Sequence, residues 1–304
     1  MHVLITGAGG NLGRALVPAL VEAGHTPRLM DFRPLETPHS FIQGDVRRAD
    51  DVRRAVAGVD AVVHAAALHG IHLRNWATHD YWAINVTGTF NVYDAARAAG
   101  VTQLVLCSTM GVYGASAQPP ADAWGVVTEE LPCLPADIYG VSKRLCEELA
   151  RDYGRLWGMR TVSLRLGMFV PERFERYGFR LLFGGVDDRD VAQAVLRALA
   201  YAPPRGFDAF NIMADVPFTD ADAHGLQHDL LGTLERFYLG VSRLATAREL
   251  NLSDLVWGRT IWRVDKAKRL LGYQPRYSFD GFLRALEAED TDYYPYANLP
   301  WWGI

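Results

Sequence analysis

Tyr139 and Lys143 stand four residues apart in ADIYGVSKRLCEEL (136–149), a stretch with helical periodicity. Residues at i and i+4 share one face of a helix, so the phenol and the ammonium would meet. A free phenol ionises near 10, too high for a base at neutral pH, but a cation held beside it favours the phenolate. Such a pair could take a proton from a hydroxyl or return one to a carbonyl oxygen. The composition makes the spacing stand out. Of 31 basic residues only Lys143, Lys266 and Lys268 are lysines. Arginine stays protonated, whereas lysine is a compact cation whose ionisation responds to its surroundings. An ordinary helix start carrying an aromatic and a charge is the plainer alternative.

A second candidate opens the chain. The apolar run HVLIT (2–6) leads into Gly7-x-x-Gly10-x-x-Gly13, and amphipathic NLGRALVPALVEAG (11–24) follows. Strand, glycine turn and helix in that order suit a dinucleotide: the glycines let backbone approach a pyrophosphate, and the helix start at Asn11 and Leu12 offers free N–H groups. Asp31 ends the second apolar run, PRLMD (27–31). A carboxylate there can accept from ribose hydroxyls and would repel a 2′-phosphate, which favours NAD over NADP. Arg28 and Arg33 stand close enough to blunt that preference. Asp45, followed by Val46, could receive an adenine amino group. Ala65, Ala66 and Ala67 are small where backbone would pass near a cofactor. Each also has a plain reading: a turn before Pro34 for Asp31, Gly-Asp turn chemistry for Asp45, and close helix–sheet packing for the alanines.

The elements that must hold these residues alternate short apolar runs with helical stretches. Runs at 2–6, 27–31, 40–45, 60–66, 103–109 and 161–166 alternate with helices at 11–24, 51–58, 79–100 and 138–158. That pattern predicts an α/β, doubly wound parallel sheet of the Rossmann kind. A further helix is expected at 187–200 and a further strand at 209–213. We expect a dinucleotide-binding domain at 1–166, completed by about 187–214, and a smaller C-terminal substrate lobe from 167–186 and 215–304. The tail YYPYANLPWWGI reads as an apron on the sheet domain or a dimer contact in preference to a ligand element.

Bulk properties narrow the class. The 304 residues are 49% hydrophobic with a net charge of −4, so no basic field argues for nucleic acid or an anionic membrane. Cys107, Cys133 and Cys146 show neither metal spacing nor an even disulfide set. No signal-like start and no apolar run of spanning length is present. The expectation is a soluble, cytoplasmic protein without a metal.

Taken together, Gly7-x-x-Gly10-x-x-Gly13, Asp31, Asp45, HAAA (64–67), NVTGT (85–89), STMGVYG (108–114) and YGVSK (139–143) resemble the extended short-chain dehydrogenase/reductase family. Its nucleotide-sugar epimerase/dehydratase branch is the best known. The resemblance is dense over roughly 1–170 and returns at DDRDVAQAV (187–195) and DKAKRLLGYQP (265–275). It implies Tyr139 as acid/base, with Lys143 supporting it and reaching the nicotinamide ribose. It implies Thr109 as hydrogen-bond partner of the reacting oxygen, with Ser108 as runner-up. Asn85 matches an asparagine beside the cofactor, or is simply polar within a helix. Hydride would pass between a sugar carbon and NAD. The family often pairs through two long helices, here about 80–99 and 138–158, so a homodimer is expected.

Two departures from the nucleotide-sugar branch point to a smaller substrate. The stretch from Pro171 to Asp187 is short, and LRLGMFVPE (164–172) lacks the asparagine that helps hold a sugar diphosphate. DFRPLE (31–36) and R-x-G-x-x-x-P-E (165–172) look similar to uronate and related free-sugar dehydrogenases. Arg173, Arg176 and Arg180 would share a helix face. Arg176 or Arg180 is the first choice to anchor a substrate anion; pairing with Glu172 and Glu175 is the bland alternative. LHGIHLRNW (68–76) could form the other pocket wall, with no role assigned to His69, His72 or Arg74. The alternatives are a nucleotide-sugar 4-epimerase that reduces NAD only transiently, and a non-catalytic NAD(P)-sensing protein. Dehydratase action is disfavoured because TMGVYG offers no Asp-Glu pair after Thr109.

Overall fold

Apolar runs flanked by glycine and polar turns become strands covered on both faces. The computed structural model describes residues 1–120, 123–249, 258–297 and 299. In chain order the elements are β1 (His2–Thr6), α1 (Asn11–Glu22), β2 (Thr26–Asp31), β3 (Ser40–Gln43), α2 (Ala49–Val56) and β4 (Ala61–His64). Next, α3 (Thr78–Tyr81), a π-helical stretch (Trp82–Thr87) and α4 (Gly88–Ala98) run on without a break. They are followed by β5 (Gln103–Thr109), β6 (Gly125–Val127), α5 (Ile138–Trp157), β7 (Arg160–Leu166), α6 (Phe174–Leu182), α7 (Asp188–Ala200) and β8 (Phe207–Ile212). The remainder holds α8 (Ala223–His228), α9 (Leu230–Phe237), α10 (Val241–Ala247), β9 (Thr260–Trp262), α11 (Asp265–Leu271) and α12 (Phe279–Glu287).

The seven-stranded sheet has the order β3-β2-β1-β4-β5-β7-β8, and every pair in it is parallel. The chain reverses its direction of travel between β1 and β4, where an open α/β sheet leaves a crevice at its carboxyl ends. The register aligns Thr6 with His64, and Ser108 and Thr109 with Arg165 and Leu166. The glycine turn, Ala65–Ala67, Thr109 and the loop after β7 therefore emerge along one edge.

Helices α1 and α7 cover one face through Leu12, Leu16, Leu20, Val191 and Val195. Helices α2, α4 and α5 cover the other through Val52, Val92, Tyr93, Cys146 and Tyr153. A third cluster is aromatic and gathers Tyr177, Phe179, Phe279, Phe282 and Tyr294 from α6, α12 and the C-terminal segment. A separate parallel pair, β6 and β9, joins two stretches far apart in sequence. Among the described residues no helix is long and apolar enough to cross a membrane.

Two expectations need adjustment. The helix expected at 79–100 is α, then π, then α, because the chain fits an extra residue into the middle turn. The third strand stops at Gln43, and Gly44 makes the last ladder bond, its N–H donating to the Asp31 carbonyl.

Candidate active site

Helix α5 starts where Asp137 caps it, its carboxylate accepting the Gly140 N–H at 2.7 Å. The first turn then presses on the loop after β5. A Cβ on Gly140 would lie 2.6 Å from the Gly111 carbonyl oxygen and 2.8 Å from Pro135. That approach sets Tyr139 beside Thr109, whose hydroxyl is close enough to act on the phenol. Thr109 also accepts from the Gly111 N–H at 3.1 Å, which fixes its hydroxyl. The Tyr139 ring is half-buried, and desolvation pushes its phenol well up while the Thr109 hydroxyl opposes the rise. The phenol needs a cation, and Lys143 stands one turn on, 2% exposed. Around Lys143 lie His64, His69, Cys107 and Cys146. Desolvation first, then the Lys143 charge, lowers the buried His64 imidazole to about 3, so it is uncharged at pH 7; the same influences lower His69. His69 opens to the crevice, its ring centroid 5.9 Å from that of Tyr139.

The glycine turn lies across the crevice. Gly7 has φ +69°, a conformation that favours glycine, and a Cβ there would lie 2.7 Å from the Ala66 backbone. Gly10 donates to the Gly7 carbonyl and Gly13 to that of Gly10, each at 3.1 Å, and α1 starts at Asn11 and Leu12. The Asn11 Oδ1 is buried and unpartnered among the described residues. Asp31, 5% exposed, accepts from the Gly9 N–H at 2.9 Å and the Arg33 N–H at 3.0 Å. Its carboxylate therefore sits against the turn, at the end of β2. Ala65 and Ala66 donate to Thr6, so Ala65–Ala67 pass over the end of β1. Asp45 is engaged by Arg47 at 2.9 Å; burial works against its charge, but the Arg47 bonds prevail and hold the carboxyl below its ordinary value. Val46 lies buried under Gly88, its carbonyl accepting from Asn91. Asn85 spends its amide on protein: Oδ1 accepts from Leu68 N–H at 2.7 Å, and Nδ2 donates to the Leu68 carbonyl and Ser142 Oγ. It ties the loop after Ala67 to α5.

The remaining candidates separate. Ser108 Oγ faces the Glu147 carboxylate in the core, so Thr109 is the hydroxyl brought to Tyr139. Arg173 is the N-cap of α6 and exposed; Arg176 is 59% exposed and 3.3 Å from Glu172. Arg180 is buried, packed on Glu172, and donates to the Met168 carbonyl through Nη1. Its Nε and Nη2 lack a well-aligned hydrogen bond. Burial pushes the Glu172 carboxyl up, with Arg180 and Arg176 opposing. The same loop reaches the site: a Cβ on Gly184 would meet Trp262 Nε1 at 2.7 Å and the Met110 methyl at 3.1 Å, one residue from Thr109. Sequence reasoning missed Glu147 and Arg165, buried at 1% and 3% exposure and joined at 2.8 Å. The one available signal was that Glu147 follows Lys143 by four.

A parallel sheet with a glycine turn at its switch point, and a Tyr/Lys/Thr constellation on the neighbouring strand ends, defines a nucleotide-cofactor enzyme class. Residues 3–179 match the model of the NAD dependent epimerase/dehydratase family, and the chain belongs to that family. It is 32% identical over 67% of its length to a uronate dehydrogenase of Pseudomonas syringae pv. tomato, covering 71% of that protein. It is 28% identical over 95% of its length to a uronate dehydrogenase of Pseudomonas putida, covering 88% of that protein. Its fold matches a short-chain dehydrogenase/reductase superfamily protein from Agrobacterium tumefaciens solved with bound NAD: TM-score 0.70, 24% identity, 96% of this chain and 98% of that one.

Proposed function

We propose that this protein is an NAD-dependent dehydrogenase of free sugars or sugar acids, with a uronate as the leading substrate. The juxtaposition of Tyr139 and Thr109, with Lys143 one turn on, carries the reading. The near-full-length likeness to a uronate dehydrogenase supports the substrate class.

The residues present fit NAD: Gly7 leaves no side chain between the turn and Ala66, and Asp31 lies on the turn itself. Gly7, Gly10 and Gly13, with the free N–H groups of Asn11 and Leu12, would hold the pyrophosphate. Asp31 would accept from the adenosine ribose, with Arg33 beside it; Asp45 and Val46 would border the adenine, and Ala65–Ala67 the nicotinamide half. Bound NAD supplies the hydride acceptor. Thr109 Oγ1 holds the substrate hydroxyl at its oxygen, and Tyr139 Oη takes that proton. The Lys143 ammonium stabilises the phenolate and would hold the nicotinamide ribose. Asn85 positions Leu68 and the Ser142–Lys143 turn. Ser108 backs this wall from the core side. On α6, Arg176, which faces solvent, or Arg180, once released from Glu172, would anchor a sugar acid's anion. Residues 167–186 and 215–304 then serve as substrate lobe against a cofactor domain of 1–166 with 187–214.

Homodimerisation through α4 and α5 fits the apolar side chains they expose, Phe90, Val141, Leu156 and Trp157, with Trp82 beside them. Three free cysteines fit a reducing, cytoplasmic setting.

The test is absorbance at the NADH band with a panel of uronates, neutral free sugars and UDP-sugars, under NAD and NADP separately. Stoichiometric NADH from a uronate and NAD is expected. UDP-sugar interconversion without NADH would replace the reading with an epimerase, and NAD binding without any turnover would replace it with a sensing protein.

A further inference from the structure

Tyr139, Lys143 and Glu147 follow one another at intervals of four along α5 and form one stripe. Left to the helix alone, the Lys143 ammonium and the Glu147 carboxylate would pair. Instead Glu147 turns to β7. Its Oε1 accepts from Arg165 Nε at 3.0 Å and Ser163 Oγ at 3.1 Å, and its Oε2 accepts from Arg165 Nη2 at 2.8 Å. Arg165 is held in turn: Nη1 donates to Tyr113 Oη at 2.9 Å, and Tyr113 donates to Asn211 at 2.7 Å. The Ser108 hydroxyl flanks the carboxylate from β5. Arg151 lies 3.6 Å away but is 37% exposed and shared with Glu148.

Lys143 is left among His64 on β4, His69 on the following loop, Cys107 on β5 and Cys146 on its own helix, with Tyr139 one turn before it. Asp137 is occupied at the helix cap. Among the described residues no carboxylate pairs with Lys143. A buried ion pair often adds nothing to stability over an apolar pair of like volume, so its benefit must lie elsewhere.

We propose that Arg165 is a positioning residue: by fixing Glu147 against β7 it keeps that carboxylate off Lys143 and leaves the ammonium's charge to the Tyr139 phenolate. This rests on the reading of Tyr139 as proton acceptor. Freed from Arg165, Glu147 would swing one turn back, neutralise Lys143, and leave the phenol harder to ionise.

Arg165→Met tests it. The acid limb of the kcat–pH profile should move up by about one unit, as expected when a helpful charge is cancelled at close range. At pH 7 kcat should then fall roughly tenfold, with KM for sugar and NAD little changed. Glu147→Gln combined with Arg165→Met should return the limb to its original position. Because the chain has only three lysines, lysine-labelled NMR resolves Lys143, assigned through Lys143→Arg. Its signal should titrate at higher pH in Arg165→Met and revert in the double variant. This readout needs no substrate, so an enzyme inactive on every sugar would sink the functional reading without deciding this one. If Arg165→Met does not fold, Arg165→Lys, a single-point contact, should give a smaller shift of the same sign. A folded variant whose Lys143 signal and profile match the parent, or a double variant that behaves like the single, overturns the proposal.

Discussion

Two consecutive stretches of α5 work under opposite rules. At its start, Tyr139 and Lys143 face a crevice with few committed partners: Thr109 beside the phenol, and imidazoles and thiols nearby. One turn further on, Glu147 is held by Arg165 and Ser163. The difference teaches where chemistry can live. A group able to exchange a proton must keep part of its bonding capacity uncommitted, and its neighbours must be committed so that they do not supply the missing partner.

The comparison can be broken from either side. Tyr139→Phe removes the exchangeable proton and leaves the fold alone; kcat should fall about 10³-fold. Its NAD affinity by fluorescence and its melting temperature should stay within error of the parent. Undiminished turnover would end the catalytic assignment. Glu147→Ala should do the reverse, leaving a buried guanidinium without its counter-ion. A loss on the order of 3 kcal/mol in urea unfolding is expected; a parental unfolding midpoint would show that the pair is not buried as described.

A pH-dependent effect sharpens the contrast between two buried carboxyls. Glu147 resists burial because Arg165 hydrogen bonds overcome desolvation and hold it below its ordinary value. Asp188, 3% exposed at the start of α7, has one oxygen without a partner, and desolvation, then the Asp187 charge, pushes it up to about 7. Its folded form therefore holds a proton that the unfolded chain has released above about 4. Its contribution to stability is complete below that pH and is lost as pH climbs towards 7. Asp188→Asn should flatten that part of the stability–pH curve, by on the order of 4 kcal/mol if the whole shift is expressed. An unchanged slope between pH 4 and 7 would count against it.

Much of this was legible in the residues. The strand runs, the glycine turn and Asp31 each depend on local spacing, which survives folding intact. Tyr139 and Lys143 were legible for the same reason. What depended on register was not. Glu147 and Arg165 are 18 apart, and only the pairing of β5 with β7 aims Arg165 at α5. Arg180 read as one of three charges on a helix face, yet Arg173 is the cap, Arg176 faces solvent and Arg180 is buried. The β6–β9 pair joins residues 125–127 to 260–262, a distance at which no local pattern carries information.

The π-helical stretch Trp82–Thr87 has a consequence for chain length. A turn closed by i→i+5 bonds holds nearly one residue more than an α turn, so the helix on either side keeps its phase while the sequence between runs long. The surplus sits where Asn85 grips Leu68 and Ser142. Shortening the stretch by one residue would leave both flanking helices in frame, and the grip on α5 one position out of step.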